Sequence, residues 1–151
     1  MNMKLSKDFK TIKGDASFRK FYRNTKKNSI IVFADKEKIK NLLIYDSINK
    51  ILIKNNIIAP KLLNQNYKKN YIEIQDLGNE TIFQIFSKNK KNQYLVFKKI
   101  INVLNKIQSV KDKKIKNFRN RFYLVKDYKS KILSDEAKLF SYWYVPKKLD
   151  K

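Results

Sequence analysis

The sequence predicts an α+β fold: a small antiparallel sheet with one packed helix, followed by helices. Three observations predict it. Two β-rich runs, residues 18–23 and Ser29–Ala34, are separated by the polar, turn-like stretch 24–28. Residues 36–55 then repeat apolar side chains at three- and four-residue spacing. Beyond Gly78 the periodic segments all read as helical.

Taken in order, residues 18–23 alternate aromatic and basic side chains, and Ser29–Ala34 (SIIVFA) is continuously apolar, so the two form an antiparallel hairpin. In 36–55 the apolar residues are Ile39, Leu42, Leu43, Tyr45, Ile48, Ile51 and Leu52. Asn55 and Asn56 end that helix, and Pro60 prevents its continuation. Residues 61–66 suggest a short strand, and Tyr71–Gln75 (YIEIQ) alternates as a strand should. Asp76-Leu77-Gly78-Asn79 breaks the pattern, with the glycine allowing a positive φ. Residues 80–87 read as a short helix and 92–109 as a longer one, with Leu95, Val96, Ile100, Val103, Leu104 and Ile107 on one face. Residues 111–120 form a basic connector, and 128–144 a last helix with an aromatic end: Phe140, Tyr142, Trp143 and Tyr144.

At 151 residues the chain suggests one domain, and 42% hydrophobic with 13% aromatic content is enough for a core. The net charge is +23. Two readings of it stand side by side. Lysine, isoleucine and the 17 asparagines share A/T-rich codons, and the lysine doublets at 26–27, 68–69, 90–91, 98–99, 113–114 and 147–148 are evenly spread. Alternatively, the charge serves a polyanion, which makes a basic nucleic-acid-binding module the alternative function. Histidine and cysteine are both absent, which removes imidazole catalysis, disulfides and thiolate zinc sites. No apolar run approaches the ~20 residues of a membrane span, and residues 1–10 lack an apolar signal core. The expectation is a soluble cytoplasmic protein without a membrane partner.

The most informative segment is 14–23, GDASFRKFYR. It holds one of two glycines and two of four arginines, Arg19 and Arg23, against 32 lysines. Guanidinium offers a planar fork of donors that fits phosphate or carboxylate. Beside a Gly-Asp-Ala-Ser turn, it points to an anion site. Alternation puts Arg19, Phe21 and Arg23 on one strand face.

GDASFRKFYR resembles the nucleotide-covering hairpin of the aminoglycoside phosphotransferase family, which has a protein-kinase-like fold. The similarity is greatest to its bacterial N-acetylmuramate and N-acetylglucosamine kinases. Asp76-Leu77-Gly78 resembles that branch's hinge motif, and KLFSYWYVPKKL at 138–149 resembles a family helix ending in Phe-x-x-Trp-Tyr. The resemblance implies a kinase-like N-lobe and hinge over residues 1–78, and a helical connector with the start of a C-lobe over 79–151. It implies an ATP- and magnesium-dependent transferase acting on an amino sugar. Gly14, Asp15, Ala16, Ser17, Phe18, Arg19 and Arg23 would bind nucleotide phosphates, and Gln75, Asp76, Leu77 and Gly78 would face the adenine. The family's His-x-Asp-x-x-x-x-Asn loop and its second, metal-binding aspartate are not found here, so the chain reads as an N-terminal fragment, inactive alone, without catalytic residues or magnesium ligands. A non-catalytic pseudo-kinase fragment is the further alternative.

The resemblance is incomplete elsewhere. Kinases carry a phosphate-pairing lysine on the third strand and a pairing acid on the next helix. Ser29–Ala34 has no lysine, which leaves Lys36 or Lys38 just past its end, and the helix offers Glu37 and Asp46 as acids. Two motifs act as decoys. Asp112 and Asn117 have the spacing of a kinase catalytic loop, but Val110 stands where the histidine should be. Asp76-Leu77-Gly78 mimics a metal-binding Asp-Phe-Gly, but in the wrong chain order.

Overall fold

The computed structural model describes residues 7–13, 17–88, 93–127 and 129–149. It is mixed α and β, as expected for α+β. A five-stranded antiparallel sheet is built from β1 (Phe9–Ile12), β2 (Arg19–Asn24), β3 (Ser29–Ala34), β4 (Leu62–Asn66) and β5 (Tyr71–Gln75), in the order β1-β2-β3-β5-β4. Helix α1 (Lys40–Lys54) connects β3 to β4.

The register explains the core. Phe21 pairs with Val32, which pairs with Ile72; Arg23 pairs with Ile30, which pairs with Ile74. Cross-strand partners share a face, so Phe21, Ile30, Val32, Ala34, Ile72 and Ile74 form one apolar surface. Leu42 of α1 is fully buried on it, with Ile39 and Tyr45 alongside. Both faces of β3 are partly or fully covered, which is why SIIVFA is continuous instead of alternating.

The turns are made by asparagine. The Asn24 side chain accepts the N–H groups of Lys26 and Lys27, and the Asn66 side chain accepts that of Lys69. Among the described residues, each non-glycine position with positive φ is an asparagine: Asn28, Asn56, Asn70 and Asn120. This residue tolerates the left-handed region better than most. At the end of α1, Asn56 is left-handed and the Ile57 N–H returns to the Leu52 carbonyl at 2.9 Å.

Four expectations are corrected. Strand β1 was not foreseen; it pairs antiparallel with β2, so residues 13–18 connect the first two strands. The helix expected over 36–55 begins as a separate 3-10 turn, Lys36–Lys38. The basic connector is a two-stranded sheet, β6 (Lys114–Lys116) with β7 (Phe122–Leu124), so the second half is not helices alone. The last helix, α4 (Ser130–Leu139), continues through a π-helical turn at Phe140–Tyr144 into α5 (Val145–Leu149), past Tyr144 and through Pro146. Near the helix start a proline lacks only an N–H whose loss is tolerated; here the looser π turn just before it accommodates the ring.

Helices α2 (Ile82–Lys88) and α3 (Gln93–Gln108) match expectation within two residues. Thr81 caps α2 reciprocally: its hydroxyl accepts the Gln84 N–H at 3.2 Å, and Gln84 Oε1 accepts the Thr81 N–H at 2.9 Å. Tyr94, Leu95, Phe97, Ile101 and Leu104 of α3 are exposed, as are Phe140, Tyr142, Trp143 and Tyr144. The aromatic end is therefore not core here; Phe140 and Tyr144 stack on each other at 5.0 Å. No helix among the described residues is long and apolar enough to cross a membrane.

Candidate functional site

Strand β2 carries one arginine near each end. The register and the contacts put both on the α1 side of the sheet, as alternation requires. Four residues of strand separate them by about 13 Å.

At the first end, the Arg19 guanidinium lies over the Tyr45 ring of α1 at 5.1 Å and over the Phe18 ring at 5.6 Å. Lys38 Nζ approaches the same Phe18 ring at 5.5 Å. Arg19 Nε is buried and finds no hydrogen-bond partner among the described residues. A buried donor normally has one, so this guanidinium is set in an aromatic frame with donor capacity in reserve. The Ser17 hydroxyl accepts the Arg19 N–H at 3.2 Å, which shapes the entry to β2. Gly14, Asp15 and Ala16 lie outside the described residues.

At the second end, Arg23 is committed to the turn that follows β5. Its Nε donates to Asp76 Oδ2 at 2.5 Å and its Nη2 to Asp76 Oδ1 at 3.0 Å. Nη2 also donates to the Gly78 carbonyl at 2.9 Å, and Nη1 donates to Asn79 Oδ1. The Gly78 N–H returns to Asp76 Oδ1 at 2.8 Å. Gly78 has φ of 97°, the left-handed geometry that glycine accepts without strain. Burial alone would raise the Asp76 carboxyl, but the Arg23 hydrogen bonds, the Gly78 N–H and the guanidinium charge outweigh it and hold it below the usual aspartate value.

The backbone of residues 75–78 is largely occupied too. The Gln75 N–H goes to the Lys61 carbonyl at 2.9 Å and the Asp76 N–H to the Asn28 carbonyl at 3.2 Å. With the Gly78 N–H held by Asp76, Leu77 is the residue of 75–78 whose N–H takes no partner among the described residues. Leu77 is also exposed.

The structure thus separates the two arginines that sequence treats alike. Ser17, Phe18 and Arg19 gather at one end of β2, and Arg23, Gln75, Asp76, Leu77 and Gly78 at the other. Lys36, Glu37 and Lys38 are exposed. Asp46 is neither a solvated residue nor the partner of a lysine near the turn. It is only 2% exposed, pairs with Lys50 at 2.8 Å, and accepts the Phe118 N–H at 2.9 Å. Its signal was its position four residues after Leu42, on the same helix face. Asp112 and Asn117 have structural partners. Asp112 receives Lys54 Nζ at 2.7 Å and Asn55 Nδ2 at 2.8 Å, and Asn117 Oδ1 receives the N–H groups of Arg119 and Arg121. Tyr45 is the site residue that sequence reasoning missed.

No family model matches this sequence, no curated protein matches it, and no solved structure matches it.

Proposed function

We propose that this chain is the nucleotide-binding part of an ATP-dependent small-molecule phosphotransferase with a kinase-like N-lobe. The observation that carries the reading is Arg19: a partly buried guanidinium whose Nε takes no partner among the described residues, following in sequence the connection between the first two antiparallel strands. A glycine-bearing connection between two strands, a third strand leading to a helix, and a hinge after the sheet's last strand are the recurring parts of kinase phosphate recognition. Here they occur in that order.

In this reading adenine lies against the hinge and the phosphates lie under the 13–18 segment. The ~13 Å between the two ends of β2 suits an extended nucleotide. The exposed Leu77 N–H would serve the adenine edge. Arg19, and lysines such as Lys38, would hold phosphate oxygens by charge-assisted hydrogen bonds. Arg23 would act one step back, holding Asp76, Leu77 and Gly78 in the shape the base meets.

Arg19 and the nearby lysines are of the chemistry that ATP phosphates require. No group of three or more acidic, cysteine or histidine side chains that could hold a metal ion occurs among the described residues. Because the catalytic loop of the resemblance is not found in this sequence, the chain alone is proposed to bind nucleotide without transferring phosphate. The amino-sugar acceptor rests on the GDASFRKFYR resemblance alone.

The test is titration of the 151-residue chain with a fluorescent ATP analogue, competed with ATP and with AMP. Saturable binding that ATP displaces better than AMP is the expected result. No binding at millimolar nucleotide, with no shift in the thermal midpoint, would remove the proposal.

A further inference from the structure

We propose that the β6–β7 hairpin is a binding finger for single-stranded nucleic acid, using Phe122 as a stacking platform and Lys114 and Lys116 as phosphate contacts. It is built from other residues than the nucleotide site and does not depend on that reading.

The hairpin is held rigidly from beneath. Asp46 accepts the Phe118 N–H, and Phe118 packs against the core of the sheet. Asn117 is buried and closes the turn through Arg119 and Arg121, with Asn120 left-handed at φ 56°. Asp112 is tied to the end of α1 by Lys54 and Asn55. A site on such a support needs little ordering when a ligand arrives.

The register then sorts the strands by face. Ile115 pairs with Tyr123, and both are half-buried. Lys114 pairs with Leu124 and Lys116 with Phe122, and all four are exposed. Phe122 is 59% exposed, with Lys114 Nζ at 4.4 Å and Lys116 Nζ at 5.3 Å from its ring centre. A large aromatic ring left open to solvent between two ammonium groups is matched by a base with its adjoining phosphates.

The surrounding charge is predominantly positive. The two acids of the hairpin and its flanks are already engaged, Asp112 by Lys54 and Asp127 by Lys113. Lys111, Lys114, Lys116, Arg121 and Lys126 have no acidic partner among the described residues. Arg119 and Arg121 are half of the arginines in the chain, here in a segment with no carboxylate of its own to pair them. The face runs on into an open cavity of about 470 Å³ lined by Leu124, Val125, Ile132, Lys126, Lys129 and the Lys113-paired Asp127, room enough for a second base.

Two competing occupants fit less well. An anionic bilayer could take Phe122 and Leu124 with the ammonium groups at its headgroups, but the ring flanked by two ammonium groups is matched more closely by a base and its phosphates. A duplex keeps its bases stacked inside, and leaves the ring nothing to cover except at an end.

The experiment uses the full 151-residue chain and short fluorescent oligonucleotides, RNA and DNA, read by anisotropy at several salt concentrations. Phe122→Ala and Phe122→Leu should each weaken single-strand binding about tenfold, while Phe122→Tyr keeps it within about twofold. The leucine variant retains apolar cover, so its loss separates stacking from folding, and circular dichroism checks each variant. Lys114→Gln with Lys116→Gln should lower the salt dependence of log K by about 1.4. The charge-matched pair Lys98→Gln with Lys99→Gln on α3 should have a clearly smaller effect. The proposal is overturned if Phe122→Leu binds like wild type, if the α3 pair is as damaging as the hairpin pair, or if duplex is preferred. Stronger Phe122-dependent binding to vesicles containing phosphatidylglycerol than to oligonucleotide would equally overturn it, in favour of a membrane contact.

Discussion

Arg23 and Asp76 face each other as a two-pronged ion pair, Nε to Oδ2 at 2.5 Å and Nη2 to Oδ1 at 3.0 Å, joining β2 to the residue that follows β5. These strands are not neighbours: β3 lies between them. The pair therefore straddles the end of β3 and fixes where the chain leaves the sheet. Its side chains are 21% and 10% exposed, so water screens it less than an open surface pair.

Asp76→Asn should destabilise the protein by roughly 1–3 kcal/mol, because Arg23 loses a charged acceptor in a partly buried place. The loss should depend on pH. The Asp76 carboxyl is held below its usual value when folded. The stability it contributes is therefore complete above the unfolded value of about 3.9, and disappears as pH falls through the lower folded value. Thermal midpoints of wild type and Asp76→Asn should differ by a constant amount between about pH 5 and 7 and converge below about pH 4. A gap that widens in acid would contradict this assignment of the pair.

Asp46→Ala should loosen the β6–β7 hairpin before it unfolds the sheet. The substitution leaves the Phe118 N–H without its acceptor and Lys50 without its acid. A cost of about 2–3 kcal/mol is expected from an abandoned buried donor together with a lost ion pair. Limited trypsin digestion should show faster cleavage after Arg119 and Arg121 in the variant, with urea unfolding giving the global loss. Unchanged cleavage would mean that the hairpin is held by something other than this carboxylate.

Arg19→Ala and Gly14→Val should each weaken binding of a fluorescent ATP analogue, by about tenfold or more for the arginine, while Lys90→Ala should leave it within about twofold. The arginine matters for its charge near the phosphates. The glycine matters because a β-branched side chain restricts the backbone and blocks close approach. Wild-type affinity in both hairpin variants would mean that the segment is an ordinary strand connection.

The uncovered apolar face of α3 predicts salt-dependent association. Leu95, Phe97, Ile101 and Leu104 are exposed, while a net charge of +23 keeps copies apart. Screening shortens the reach of that repulsion from about 10 Å at 0.1 M salt to about 3 Å at 1 M. Sedimentation should show mainly monomer at low salt and growing association as salt rises, reduced by Ile101→Lys. Association that fell with salt would point to charge pairing as its cause.

Much of the sheet was legible because its strands are either apolar throughout or strictly alternating. Ser29–Ala34 and Tyr71–Gln75 fall on their expected bounds. β1 was not legible: FKTI has no pattern, and it is a strand because β2 offers it an edge. β6 and β7 have three residues each, too few for any period to show. At the candidate site, the scarcity of arginine singled out Arg19 and Arg23, but composition could not tell a guanidinium framed by aromatic rings from one clamped on a carboxylate. Asp76 lies 53 residues further along the chain from Arg23, and only the fold brings it back. Asp46 was misread for a related reason: its partner Phe118 is 72 residues away.

The left-handed asparagines bear on how the chain finds this structure. Asn28, Asn70 and Asn120 each sit in the short connection of a hairpin, and Asn56 at the end of α1. Asparagine visits the left-handed region yet roams less widely than glycine, so each of these turns surrenders less disorder on closing. Three hairpins can then form early as local events, over loops of a few residues. What remains is the pairing of β3 with β5 around α1, with Val32 meeting Ile72. That distant closure, and not the making of any hairpin, sets the pace of folding in this sheet.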